Sequence, residues 1–157
     1  MKNEKRVQDS ATEQIYVVRS KYLNPQGRLS GGCLLQWMDE LAGIVSRRHT
    51  RKGVATVAVE CVDFKAGAYP NDMIALAGKL TFVGRTSMEV RVDAYMEDSS
   101  GKRTGINTAY FVMVAVDEAG RPAEVPGLQV ESEAERKEWL CAQKRQQLRK
   151  QRKAEGF

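Results

Sequence analysis

Asp39 lies in the middle of the most apolar helical stretch of the sequence, between Met38 and the Leu41-Ala42 pair. Burying a carboxylate is costly unless it is paired or put to use. Asp39 therefore pairs with an arginine, caps a nearby loop, or acts on a substrate. Its neighbour Glu40 points about 100° away on a helix of 3.6 residues per turn, so the two acids do not face one pocket. Seven residues before Asp39 the same stretch opens with Gly31-Gly32. Two glycines at a helix start either leave backbone N–H groups open to a ligand carrying developing negative charge, or let the helix pack closely on its neighbours. Gly32 and Asp39 share one helix face but stand about 10.5 Å apart along the axis, so one reacting carbonyl cannot touch both. If both act on one bond, the acid comes from a second copy whose helix runs antiparallel nearby, which implies a two-fold dimer with sites at its interface.

Other candidates are weaker. Gly84-Arg-Thr-Ser87 either holds a phosphate through Arg85 and the two hydroxyls or is a polar turn, and Gly101-Lys-Arg-Thr104 reads as a hairpin turn. His49 reads as a residue that ends the helix. Glu60 and Asp63 read as surface or inter-subunit charges.

The elements that position these residues follow from period and punctuation. Ser30 is placed to cap a helix whose apolar positions 34, 35, 37, 38, 41, 42, 44 and 45 wrap most of the way round it, as in a buried helix. Arg47, Arg48 and His49 suit its C-terminal end. Residues 14–18 read as a short strand, and Asn24-Pro25-Gln26-Gly27 as a turn. Beyond the helix the period becomes two: residues 54–64, 73–82, 88–96 and 108–116 read as strands, with Ile74, Leu76, Leu80 and Phe82 on one face. Residues 1–13 read as a loosely attached leader, 14–128 as one domain, and 129–157 as a charged helical extension. One long helix among largely antiparallel strands is an α+β fold.

Composition excludes several chemistries. The 157 residues contain one histidine, so a multi-histidine metal site within one chain is impossible, and no metal is expected. Cys33, Cys61 and Cys141 are dispersed, which fits a reducing compartment. No apolar run reaches the roughly 20 residues of a membrane span and the polar start has no secretory pattern, so a cytoplasmic location is expected. Basic residues outnumber acids 25 to 20. Residues 131–157 hold eight of the former and five of the latter, so most of the excess belongs to the terminal helix, read as a solvated or assembly-stabilising face.

The string Asn24-Pro-Gln-Gly-Arg-Leu-Ser-Gly-Gly-Cys-Leu-Leu-Gln-Trp-Met-Asp-Glu-Leu-Ala-Gly43 resembles the N-x-x-G-x-x-x-G-G-x-x-x-x-x-M-D-E segment of hotdog-fold acyl-CoA thioesterases. The likeness continues through Arg48-His49, Val54-Ala-Thr56, Asp63-Phe64, Gly84-Arg-Thr-Ser-Met-Glu-Val90, Ala115-Val-Asp117 and Val125-Pro126. It departs at Ser30, where many relatives carry an aromatic or histidine, and at Asn71, where a Gly-Asp turn is usual; asparagine tolerates the same left-handed backbone.

The resemblance implies a hotdog fold, an antiparallel sheet wrapped around one central helix, and hydrolysis of acyl-CoA to free acid and CoA with no cofactor of its own. It implies that Asn24 positions the thioester or water, that the Gly32 N–H polarises the carbonyl, and that Asp39 of a partner subunit is base or nucleophile. Gly31 would lie beside the substrate, the acyl chain would run past Leu35 and Met38, and pantetheine would lie against Thr56. The nucleotide phosphates would sit near Arg85, Thr86 and Ser87. Dimers assembling to a hexamer are implied, and no nucleic acid or membrane partner. An acyl-thioester hydratase or a non-catalytic CoA-binding protein stays open as the alternative. Hydratases of this fold rely on a histidine, and His49 stands some 15 Å along the helix from Asp39.

Overall fold

The computed structural model describes residues 3–157. Five antiparallel strands form one sheet: β2 (Thr12–Val17), β3 (Gly53–Phe64), β4 (Met73–Val83), β5 (Ser87–Glu97) and β6 (Arg103–Val116), in the order β2-β4-β5-β6-β3. The helix α1 (Gly31–Thr50) packs on one face of this sheet and a second helix, α2 (Glu133–Glu155), on the other. The α+β arrangement expected from the change of period is what forms.

The core lies between α1 and the sheet. Trp37, Met38, Leu41, Ala42 and Val45 meet Ile74, Leu76, Val90, Val92 and Phe111, all buried. The α1 stripe is narrower than a wholly buried helix, because Gly32, Gln36 and Glu40 are exposed and Asp39 and Gly43 are partly so. The turns are those the residue types demand. Gly84 N–H bonds Ser87 O at 2.8 Å, Gly101 takes φ +85° between β5 and β6, and Asn71 takes φ +71°, the left-handed backbone expected there.

Three expectations are corrected. Residues 4–13 are not a loose leader: Glu4–Arg6 is strand β1, paired in parallel with β7 (Gly127–Gln129), and Val7 and Ser10 are buried. A three-residue strand pairing across the length of the chain carries no local periodicity, and β7 also crosses the expected domain boundary at residue 128. The first two residues lie outside the described part. Phe82 does not share a face with Leu80: a register shift between them turns it to the other side, where its ring meets Trp139 of α2 at 4.5 Å. The terminal helix is mostly exposed, as expected, but one side of it is also bonded to the sheet. Its Arg145 bonds Glu89, and its Arg149 and Arg152 both bond Glu60, which is buried within the chain rather than a surface charge.

Candidate active site

Asn24 opens the loop that leads into α1. Its Oδ1 accepts the N–H groups of Gln26 at 3.0 Å and Arg28 at 3.2 Å, and its own N–H donates to Arg28 O at 2.7 Å. This closed asparagine turn fixes the side chain and commits Oδ1. The Nδ2 group has no partner among the described residues and is left to donate elsewhere. Asn24, Gly31, Leu34 and Phe64 line one cleft of about 330 Å³.

At the helix start, Leu34 N–H bonds Ser30 O at 3.0 Å, and the three preceding N–H groups have no partner among the described residues. Ser30 occupies the cap position, yet its hydroxyl accepts nothing from the helix. The two glycines divide the roles that the sequence left open. A Cβ on Gly31 would stand 3.2 Å from the Phe64 ring, so this glycine serves close packing; one on Gly32 would meet only the Ser30 hydroxyl at 3.7 Å. Gly32 is exposed, and its unpaired N–H sits at the positive end of the helix dipole, where an oxyanion is favoured.

Asp39 makes no ion pair among the described residues. Instead Thr56, near the start of β3, donates its hydroxyl to Asp39 Oδ1 at 2.6 Å. That bond fixes the carboxylate, leaves Oδ2 unengaged, and answers why an apolar helix carries an acid here. The sequence named both residues without pairing them, because nothing local links a helix position to a strand residue 17 places on. The first-turn N–H groups and Asp39 thus stand at different stations of a straight helix, about 10.5 Å apart along it. Asn24 lies with Gly31, and Thr56 with Asp39.

The remaining candidates spread out. Leu35 is partly exposed and packs against the core. Met38, expected beside the acyl chain, is fully buried between α1 and the sheet and presents no surface to a ligand. Arg85, Thr86 and Ser87 form the β4–β5 turn. The Arg85 side chain is 81% exposed, 4.0 Å from Glu124, and the turn's carbonyls are taken by Val125 and Ala115 N–H groups. His49 is buried, with Nε2 at 2.9 Å from Pro126 O. Burial holds its imidazole below the ordinary value, and the nearby Lys5 ammonium adds to that, so it is a neutral core residue.

A five-stranded antiparallel sheet holding one long helix, with an open glycine turn at the helix start and a threonine-bound carboxylate at its middle, defines a hotdog-fold protein. The Thioesterase superfamily model matches residues 26–101. A crystal structure of an apo-hexameric acyl-CoA thioesterase superposes with a TM-score of 0.92 at 35% identity, covering 97% of this chain and 98% of that one. An acyl-CoA hydrolase variant from Staphylococcus aureus, in complex with coenzyme A, gives a TM-score of 0.93 at 27% identity over 99% of this chain and 93% of that one. The cytosolic acyl coenzyme A thioester hydrolase of Rattus norvegicus is 34% identical over 131 residues, which is 82% of this chain. The chain spans about a third of that relative's length, 34%. It belongs to the acyl-CoA thioesterase family of hotdog proteins.

Proposed function

We propose that this chain is an acyl-CoA thioesterase acting as a two-fold dimer. Asn24 and the Gly32 N–H of one subunit hold the thioester carbonyl, and Asp39 of the partner subunit activates water. The water gives its proton to the carboxylate and attacks the carbonyl carbon, while the Gly32 N–H and the Asn24 amide take up the oxyanion charge. Collapse breaks the C–S bond, and the proton passes to the CoA thiolate, giving a free acid and CoA.

The observation that carries this reading is the division of α1: an open donor turn at one end, and an unpaired, threonine-oriented carboxylate too far along the same helix to reach it. An antiparallel second copy brings the two halves together. β3 suits that contact, since it is an edge strand of 12 residues that exposes Val57 and Val59, an arrangement prone to take a further strand. Support also comes from the S. aureus hydrolase, for which alanine variants of one asparagine, one aspartate and one threonine have been solved. Their spacing along that chain equals the spacing of Asn24, Asp39 and Thr56 here. One solved relative is a hexameric acyl-CoA thioesterase, and for this chain we propose a hexamer built as a trimer of such dimers, and a cytoplasmic location.

Thiol release from a panel of acyl-CoA chain lengths tests the reading. Asp39→Asn is expected to lower kcat by about 10²–10⁴-fold, the range for a positioned general base, and Asn24→Ala to lower it less. A folded, dimeric protein that turns over no chain length, or an Asp39→Asn variant as active as the parent, overturns it. Solvent ¹⁸O found in the Asp39 carboxylate after a single turnover shows that the acid attacks the carbonyl and that water then opens the anhydride at the aspartyl carbon, an outcome the general-base step does not produce.

A further inference from the structure

Asn107, on β6, is only 2% exposed, and neither its Nδ2 nor its Oδ1 has a hydrogen-bond partner among the described residues. A buried amide left with nothing to bond is destabilising, native proteins keep few of them, and asparagine is in any case depleted in strands. Its position gives it a use. Asn107 is the register partner of Phe64 on β3 and of Ala94 on β5. Side chains directly opposite one another share a face of the sheet, and the Phe64 ring is turned to α1, 3.2 Å from where a Cβ on Gly31 would stand. Asn107 therefore faces the start of α1. Beside it a register shift leaves Ile106 as an extra residue opposite β5, a bulge of the kind that re-aims side chains next to active sites. The bulge is tied to the end of β3, where Lys65 N–H bonds Ile106 O at 2.8 Å. Both Phe64 and Ile106 line the cleft that holds Asn24 and Gly31. Asn107 thus stands directly behind that wall, next to one residue along the chain and to the other across the sheet.

The chemistry of the unpaired group narrows what would satisfy it. A side-chain amide presents an N–H donor and a carbonyl acceptor side by side. A carboxylate or an oxo group answers only Nδ2, an ammonium only Oδ1, and an alkyl chain neither. A hydroxyl answers both, accepting from Nδ2 and donating to Oδ1. The rest of the cleft suits carbon: Leu29, Leu34, Ala66 and Ala68 line it with Phe64 and Ile106. Phe64 is 52% exposed, so its ring has room to turn toward solvent and open the inner end of the cleft onto Asn107.

We propose that the acyl group this chain hydrolyses carries a hydroxyl, and that Asn107 is the residue that selects it. With the thioester carbonyl held by Asn24 and the Gly32 N–H, the chain enters the cleft past Leu34 as Phe64 turns outward, and its hydroxyl accepts from Nδ2 and donates to Oδ1. This rests on the thioesterase reading and narrows its substrate class to hydroxyacyl thioesters. Discrimination then acts in both directions, because the hydroxylated chain gains two hydrogen bonds while the plain chain strands a buried amide. An internal water would satisfy the same two atoms, but it would give no preference between the two chains.

The test compares hexanoyl-CoA with both enantiomers of 3-hydroxyhexanoyl-CoA and with 6-hydroxyhexanoyl-CoA. The parent is expected to hydrolyse at least one hydroxy ester with kcat/KM about tenfold or more above that for hexanoyl-CoA. In Asn107→Leu, which roughly keeps the volume and removes both polar atoms, that ratio should fall to about one or below. A ratio taken on one preparation is not moved by a loss of folded enzyme, and Asn107→Ala gives the same reading where the leucine variant does not fold. A parent with no preference for any hydroxy ester overturns the proposal, as does a ratio that is equal in parent and variants, which leaves the amide to an internal water. If the parent cleaves none of these esters nor any of the chain-length panel, the thioesterase reading fails. Calorimetric titration with the intact esters then decides Asn107 separately: tighter binding of a hydroxy ester to the parent, lost in the variants, upholds its role, and equal affinities overturn it.

Discussion

The chain carries two concentrations of arginine, and they are in opposite states. On the outer face of the sheet, α2 brings Arg145 onto Glu89 at 2.7 Å and over the Tyr110 ring at 3.7 Å, Arg149 and Arg152 onto Glu60 at 2.9 and 3.0 Å, and Glu138 onto Arg91. At the end of α1, Arg47 and Arg51 have no counter-charge among the described residues. The contrast separates cations that stabilise the fold from cations left free. Counting charges cannot do this: the terminal helix supplies most of the net charge, yet its arginines at 145, 149 and 152 are spoken for, while the smaller surplus elsewhere includes the exposed ones.

Breaking the paired group gives the largest expected change in stability. Arg145→Ala leaves the Glu89 carboxylate, whose side chain is 6% exposed, without its cation, retaining only the Thr81 hydroxyl at 2.7 Å. Removing one partner of a buried pair costs about 3–5 kcal/mol, and the remaining hydroxyl places the expected loss near the lower end, about 3 kcal/mol, in urea unfolding. The same substitution at exposed Arg47 should stay within about 0.5 kcal/mol. Equal losses at the two positions would erase the distinction. Arg149→Ala should cost less than Arg145→Ala, about 1 kcal/mol, because Arg152 still holds Glu60.

The smallest effect sharpens the other side of the comparison. With its folded-state pKa depressed, His49 contributes stability that is present above its ordinary value near 6.5 and is lost as pH falls from there toward the folded value. Unfolding free energy should therefore decline between pH 7 and 6 by less than about 1 kcal/mol from this group. His49→Gln should flatten the slope in that range, and an unchanged slope would show that burial at the end of α1 does not hold the imidazole neutral.

Much of the architecture was legible locally. A stripe of apolar residues at helical spacing, a switch to period two, and glycine or asparagine at each tight turn are properties of short windows, and α1, β3, β4 and β5 follow them nearly to the residue. The helix-start glycines and Asp39 were legible as candidates for the same reason, and their separation along α1 already demanded a second copy for joint action. The spacing did not say which glycine serves packing. That is decided by Phe64, which reaches Gly31 from the far end of β3.

What the sequence by itself determined, then, is the order and type of the main elements and the residues able to do chemistry, because period, capping and turn propensity act within a few positions. Only the tertiary structure decided the pairing of β1 with β7, the bulge that turns Phe82 onto Trp139, the hydroxyl of Thr56 on Asp39, and which arginines are neutralised. Each of these joins residues 17 to more than 100 positions apart, or depends on such a contact. Contacts of that kind are selected by packing and desolvation in the assembled core, and they leave no periodic trace in the chain.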